Sequence, residues 1–136
     1  GYSQGGFLSA AYAKDFPEKI AAVAAVSPAF ADNVDPTVNN FCDIERVPLW
    51  MFHATNDEVI PFNNSIKVYN SILNSCQPEV LPKLSIVVGA EHAIHHAVFN
   101  LEALVGGFSQ AVYDNRFDDY DMSIYQWLLT HNVENR

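Results

Sequence analysis

The chain opens on Gly1-Tyr2-Ser3-Gln4-Gly5, a Gly-x-Ser-x-Gly pattern that presents a serine hydroxyl on a sharp strand-to-helix turn. Ser3 is therefore the expected nucleophile. The glycines two before and two after it are expected because side chains there would collide with the neighbouring strand and helix. The backbone N–H of Gln4, at the start of the helix that follows, is the expected donor to a developing oxyanion. A serine needs a base to activate it, and the base needs a carboxylate to orient it. Both residue types follow in the order that this turn demands. Asp57 lies in Ala54-Thr55-Asn56-Asp57-Glu58-Val59-Ile60-Pro61, directly after the apolar run Leu49–His53. His92 lies in Gly89-Ala90-Glu91-His92, directly after Leu84–Val88. Ser3, Asp57 and His92 thus each fall at the C-terminal end of an expected strand, one strand–helix unit apart, where a nucleophile, an acid and a base can meet. Glu58 competes for the acid role but is one residue late and is expected in solvent.

Elements that could position these residues alternate between helix and strand, the pattern of a parallel sheet with helices on its faces. A helix is expected over Gly5 to Asp15, where Phe7, Leu8, Ala11 and Tyr12 recur at helical spacing until Phe16-Pro17 stops it. Parallel strands are expected over 20–26, 49–53 and 84–88, with Leu49–His53 apolar on both faces. Residues 29–47 are polar and read as a loop or small cap. Pro61 opens a helix through about Leu73, with Ile66, Tyr69, Ile72 and Leu73 inward. A last helix from Ser123 to His131 carries a capping box in Ser123 and Gln126, with Ile124, Trp127 and Leu128 inward. Residues 93–120 have the weakest pattern, with a helix through Val105 and then Gly106-Gly107. The whole is one domain spanning 1–136, without internal repeats.

Several other residues invite a chemical reading and are weighed against plainer ones. His53 ends a strand and is expected to be a packed histidine bonded to backbone rather than a substrate contact. His92, His95 and His96 share one helix face at metal-ligand spacing, but no further Cys or His is placed to finish a tetrahedral site. No metal is expected. Tyr2, His95 and His96 are instead expected to line the substrate pocket. Trp50 and Trp127 read as core residues, and the acidic run Asp114 to Asp121 as a solvated loop. Cys42 and Cys76 allow either one disulfide or two free, partly buried thiols. The balance of 7 basic against 16 acidic residues, net −9, argues against nucleic-acid binding, which needs clustered Lys and Arg. No segment approaches the roughly 18 apolar residues of a membrane span. The abrupt start on the serine turn reads as a partial sequence, inactive in isolation.

The segments Gly1–Gly6, Val47–His53, Asp57-Glu58-Val59-Ile60-Pro61 and Tyr125–Leu129 resemble the α/β-hydrolase esterases, nearest the polyhydroxybutyrate-depolymerase, feruloyl-esterase and dienelactone-hydrolase-like group. The resemblance covers most of the chain except residues 93–120. It implies the C-terminal half of an α/β-hydrolase, with the earlier strands and the loop supplying the second oxyanion donor lying upstream. It also implies carboxylic-ester hydrolysis through an acyl-serine intermediate on Ser3, with Asp57 as acid and His92 as base. No cofactor or metal is implied. The substrate would be a small or polymeric ester, and the parent protein would be secreted or periplasmic. The sequence departs from that group at Ala54 and Glu91, where glycine is usual, and at His95, where an aromatic residue, typically tryptophan, is usual. A peptidase of the prolyl-oligopeptidase type shares the order of the three residues, and a non-catalytic relic is the reading from a different class.

Overall fold

The computed structural model describes residues 1–32, 41–100, 118, 120 and 122–135. Strands β1 (Val23–Val26), β2 (Leu49–Ala54) and β3 (Lys83–Val87) form one sheet in the order β1-β2-β3, parallel throughout. Val23 pairs with Leu49 and Val26 with Phe52, while Trp50 pairs with Lys83 and Ala54 with Val87. All six residues of β2 are buried, because side chains on both faces of a parallel sheet are covered by packed elements.

Alternation of side chains divides the core in two. Ala25, Met51, Leu84 and Ile86 face one way and pack with Ala10, Phe30, Val68 and Ile72. Ala24, Val26, Trp50, Phe52 and Val87 face the other way and pack with Ile94, Val98, Ile124 and Trp127. The helices that supply these residues are α1 (Gln4–Asp15) and α2 (Asn63–Ser75) on the first face, and α3 (His95–Val98) and α4 (Ile124–Leu129) on the second. Beyond β1 the sheet continues into the start of the chain. Tyr2 makes a parallel bridge to Val26, and the amides of Ser3 and Val26 donate to Val26 O and Gly1 O at 2.8 and 2.9 Å.

Several local expectations need correction. The first strand begins at Val23 rather than at residue 20, and Pro17–Lys19 form a 3-10 turn before it. The buried face of α1 is Gly6, Ala10 and Ala13, whereas Leu8 and Tyr12 are exposed. Small residues let α1 lie close against β1. Leu8 and Tyr12 instead join Ile20, Ala22, Phe99 and Leu128 around an apolar groove of about 670 Å³ along the outer edge of β1. In α2 the buried set includes Val68 and the polar residues Asn64, Ser65 and Ser71. Asn64 is tolerated inside because its Nδ2 donates to Phe30 O and to Asp32 Oδ1, both at 2.9 Å.

The capping box forms as expected: Gln126 N donates to Ser123 Oγ at 3.1 Å, and Ser123 N donates to Gln126 Oε1 at 3.2 Å. The helix it starts ends at Leu129, with Thr130 as its cap. Within the polar 29–47 stretch, Phe41–Ile44 form a 3-10 turn. Cys42, in that turn, is disulfide-bonded to Cys76 at the end of α2, which settles the two thiols left open by the sequence. The expectations for Asp35-Pro36, Asn39-Asn40, Val105, Gly106-Gly107 and most of the acidic run from Asp114 lie outside the described residues.

Candidate active site

Ser3 sits between the Tyr2–Val26 bridge and the first turn of α1, with φ 53° and ψ −119°. A positive φ on a non-glycine residue costs energy and persists only where the surroundings over-determine it. Here they do. Ser3 N donates to Val26 O, and Ser3 O accepts from Ala29 N at 3.0 Å and Phe7 N at 3.1 Å. The glycine rule of the motif holds at one end only. A Cβ on Gly1 would lie 2.2 Å from Gly5 O, so only glycine fits there. A Cβ on Gly5 would meet nothing within 4 Å, so the space there is open. The crowded position is Gly6, where a Cβ would come 3.2 Å from both Gly1 O and Pro28 Cα.

Asp57 and His92 follow the C-terminal ends of β2 and β3, and parallel pairing brings both ends beside Ser3. His92 Nε2 lies 3.0 Å from Ser3 Oγ, and its Nδ1 lies 2.7 Å from Asp57 Oδ2. The other carboxylate oxygen, Oδ1, accepts from Val59 N at 2.9 Å and Ile60 N at 2.8 Å. Burial pushes the Asp57 carboxyl up, but hydrogen bonds from Ile60, His92 and Val59, with His53 nearby, outweigh it. The net result lies below the usual carboxylate value, so the side chain is an anion at neutral pH. Glu58 is exposed on the solvent side of the same loop.

At this site the sequence reading misses Ser27 and the side-chain partners of His53. His53 bonds backbone as expected, at 2.9 Å from Ile60 O, but its Nε2 is also 3.0 Å from Asp57 Oδ2, and Nδ1 is 2.7 Å from Ser65 Oγ. Ser27, buried at the end of β1 with φ 43°, donates from Oγ to His92 O at 2.9 Å. Its own amide donates to Phe52 O at 2.7 Å, so it ties β1, β2 and the histidine loop together. Neither has a motif. The only sequence signal is position, four residues before Asp57 for His53 and at a strand's end before Pro28 for Ser27.

The pocket candidates divide. Tyr2 lies against His92, with ring centroids 5.1 Å apart, and stacks on His95 at 3.7 Å. Burial and then Asp57 push its phenol up. His95 in turn neighbours His96 at 4.0 Å, and its Nδ1 is buried without a hydrogen-bond partner. Burial, His96 and His92 together hold the His95 imidazole below its usual value, so it is neutral. His96 is exposed. Gln4 is the first residue of α1, where backbone amides have no intrahelical acceptor. Among the described residues no three His, Cys, Asp or Glu side chains converge as metal ligands.

A parallel sheet with helices on both faces, a strained serine turn, and acid and histidine loops at neighbouring strand ends define an α/β-hydrolase. The chain belongs to the phospholipase/carboxylesterase family, whose pattern matches residues 1–101. Among solved structures it is similar to esterase PE8, with TM-score 0.55 and 21% identity over 76% of this chain and 43% of that one. It is also similar to a thermostable esterase, with TM-score 0.57 and 20% identity over 96% of this chain and 30% of that one. A third is a protein from Klebsiella pneumoniae subsp. pneumoniae MGH 78578 assigned as a dienelactone hydrolase, with TM-score 0.53 and 17% identity over 70% and 40%. The chain thus spans less than half the length of each of these structures. No curated protein sequence matches it.

Proposed function

We propose that a protein built on this chain hydrolyses carboxylic esters through an acyl-Ser3 intermediate. The observation that carries the reading is the continuous hydrogen-bonded line from Ser3 Oγ through His92 to the anionic Asp57. His92 Nε2 takes the Ser3 proton as Oγ attacks the ester carbonyl, and Asp57 fixes the proton on Nδ1 and steadies the imidazolium. The tetrahedral oxyanion is held by the Gln4 N–H at the start of α1, with the helix N-terminus favouring the charge. The reading takes a second donor from residues beyond these 136, in keeping with the greater length of the similar structures. As the intermediate collapses, His92 gives its proton to the leaving alkoxide, which departs as the alcohol. Water, deprotonated by the same imidazole, then attacks the acyl-serine and releases the acid.

Tyr2 and His95, neutral and stacked beside the base, form one wall of the pocket in this reading, and His96 its outer rim. The substrate in this reading is a small or polymeric carboxylic ester, of which the family's phospholipase/carboxylesterase description supports the ester bond. The Cys42–Cys76 disulfide supports an oxidising compartment, because cytosolic thiols are kept reduced. The test is covalent labelling of the full-length protein with a fluorophosphonate probe, beside a Ser3→Ala control. Labelling that disappears in the control is expected. A folded protein that never labels refutes the esterase reading.

A further inference from the structure

We propose that His53 is a positioning residue of this site, whose Nε2–H shares Asp57 Oδ2 with His92 Nδ1. The proposal rests on the esterase reading for its consequence in catalysis, and on hydrogen-bond geometry for the rest.

Hydrogen-bond donors and acceptors decide the tautomer. Nε2 of His53 faces two acceptors, Asp57 Oδ2 at 3.0 Å and Ile60 O at 2.9 Å, so Nε2 carries a proton. On the other side Nδ1 faces only the Ser65 hydroxyl at 2.7 Å, a group that can donate or accept. The His53 ring is fully buried, and burial holds it below its usual value against the opposing effects of Ile60 and Asp57. It is therefore neutral, Nδ1 is the bare nitrogen, and Ser65 donates to it. The buried position of Ser65 in the first turn of α2 now has a reason.

Asp57 then receives four N–H groups: two backbone amides on Oδ1 and two imidazoles on Oδ2. The amides stop the carboxylate from rotating. His53 occupies the part of Oδ2 that His92 leaves open and fixes the direction from which His92 Nδ1–H must approach. A sealed ring without exposed surface cannot touch a substrate, so its effect on the reaction passes through Asp57 alone. The titratable groups acting on His53 are Asp57 and His92. On the far side of His92 lie Tyr2 and His95, with His96 behind them, while the Glu58 and Glu91 side chains are exposed.

Two measurements on the full-length protein test this. The first is the ¹⁵N signature of the ring nitrogens in ¹⁵N-histidine protein, assigned by the loss of signal in His53→Gln. A pyrrole-type Nε2 and a pyridine-type Nδ1 are expected from about pH 6 to pH 8. A ring protonated on Nδ1 at neutral pH overturns the proposal. The second is the pH profile of fluorophosphonate labelling. In His53→Leu the carboxylate loses one donor and attracts the imidazolium proton more strongly, so the acid limb moves up by about one pH unit. In His53→Gln the amide NH₂ replaces the lost donor, and the midpoint returns toward that of the natural protein. A Leu variant with an unmoved profile, or a Gln variant no better than Leu, overturns the proposal while the esterase reading stands. A natural protein that resists the probe at every pH overturns the esterase reading itself, and the catalytic consequence of His53 with it.

Discussion

Replacing Asp57 by asparagine keeps the shape of the site and inverts its proton logic. The carboxylate accepts from Val59 N, Ile60 N, His92 Nδ1 and His53 Nε2. An asparagine oxygen can satisfy the two backbone amides, but its NH₂ then faces two imidazole N–H groups, donor against donor. The cheapest relief is for His92 to move its proton from Nδ1 to Nε2 and accept the amide on Nδ1. The nitrogen 3.0 Å from Ser3 Oγ then carries a hydrogen and can no longer take one. A wrong tautomer of this kind costs about 10⁴ in turnover where it has been measured in serine hydrolases with such triads. The assay is the second-order rate of fluorophosphonate labelling at about pH 7.5, in the neutral range where the imidazole must act as base. Asp57→Asn and Ser3→Ala are compared with the natural protein, and circular dichroism checks that each is folded. A folded Asp57→Asn variant labelling within tenfold of the natural rate would refute the assignment of Asp57 as the residue that fixes the tautomer.

Other outcomes follow from the same structure. Cutting the Cys42–Cys76 tie by paired serine substitutions frees a 34-residue separation in the unfolded chain, and loop-closure entropy then lowers stability by about 4 kcal/mol. Urea unfolding reads this directly, and a loss under about 1 kcal/mol would show that the unfolded chain stays compact there. Gly5→Ala should raise stability by about 0.5–1 kcal/mol, since its Cβ meets open space in α1. Gly6→Val should lower both stability and labelling, because its side chain runs into Gly1 and Pro28; equal tolerance at the two positions would contradict the packing of the turn.

Stability should also fall on acidification below neutral. His53, His95 and His131 are held below their unfolded value of 6.5, so the unfolded chain binds their protons first. Their contribution is complete above pH 6.5 and is lost as the pH falls below it, at up to about 1.4 kcal/mol per pH unit for each proton taken up. Asp57 adds a further loss below 3.8. Urea midpoints between pH 5 and 8 measure the slope, and His53→Gln should flatten it.

Much of this arrangement was legible in the sequence because it is written in local signals. The Gly-x-Ser-x-Gly turn, the apolar strands before Asp57 and His92, and the capping box of Ser123 and Gln126 are all short-range patterns. The inner face of α1 was not legible. Leu8 and Tyr12 carry the larger hydrophobic signal, while the face that packs is made of Gly6, Ala10 and Ala13, chosen for closeness rather than hydrophobicity. His53 and Ser27 were hidden for another reason. Ser27 meets His92 only through the pairing of strands far apart in the chain, and His53 meets Ile60 and Ser65 only once the segment after β2 folds back on it, which no motif marks. The disulfide is not legible in the sequence because it depends on the 3-10 turn at Cys42 lying against the end of α2.

The separations along the chain also imply an order of assembly. The bonds from His53 to Asp57 and Ser65 close loops of only 4 and 12 residues. The bond from His92 to Ser3 closes one of 89. Bringing the longer pair together costs about 2 kcal/mol more in chain entropy than closing the twelve-residue loop, and it waits on β1, β2 and β3 pairing in turn. The Asp57 corner is thus a nearly self-contained unit that can form early, and Ser3 is delivered to it last. During refolding, tryptophan burial at Trp50 would therefore run ahead of reactivity toward the covalent probe. The probe becomes a clock for the final step of folding, and a chain caught with its carboxylate in place can still be inert.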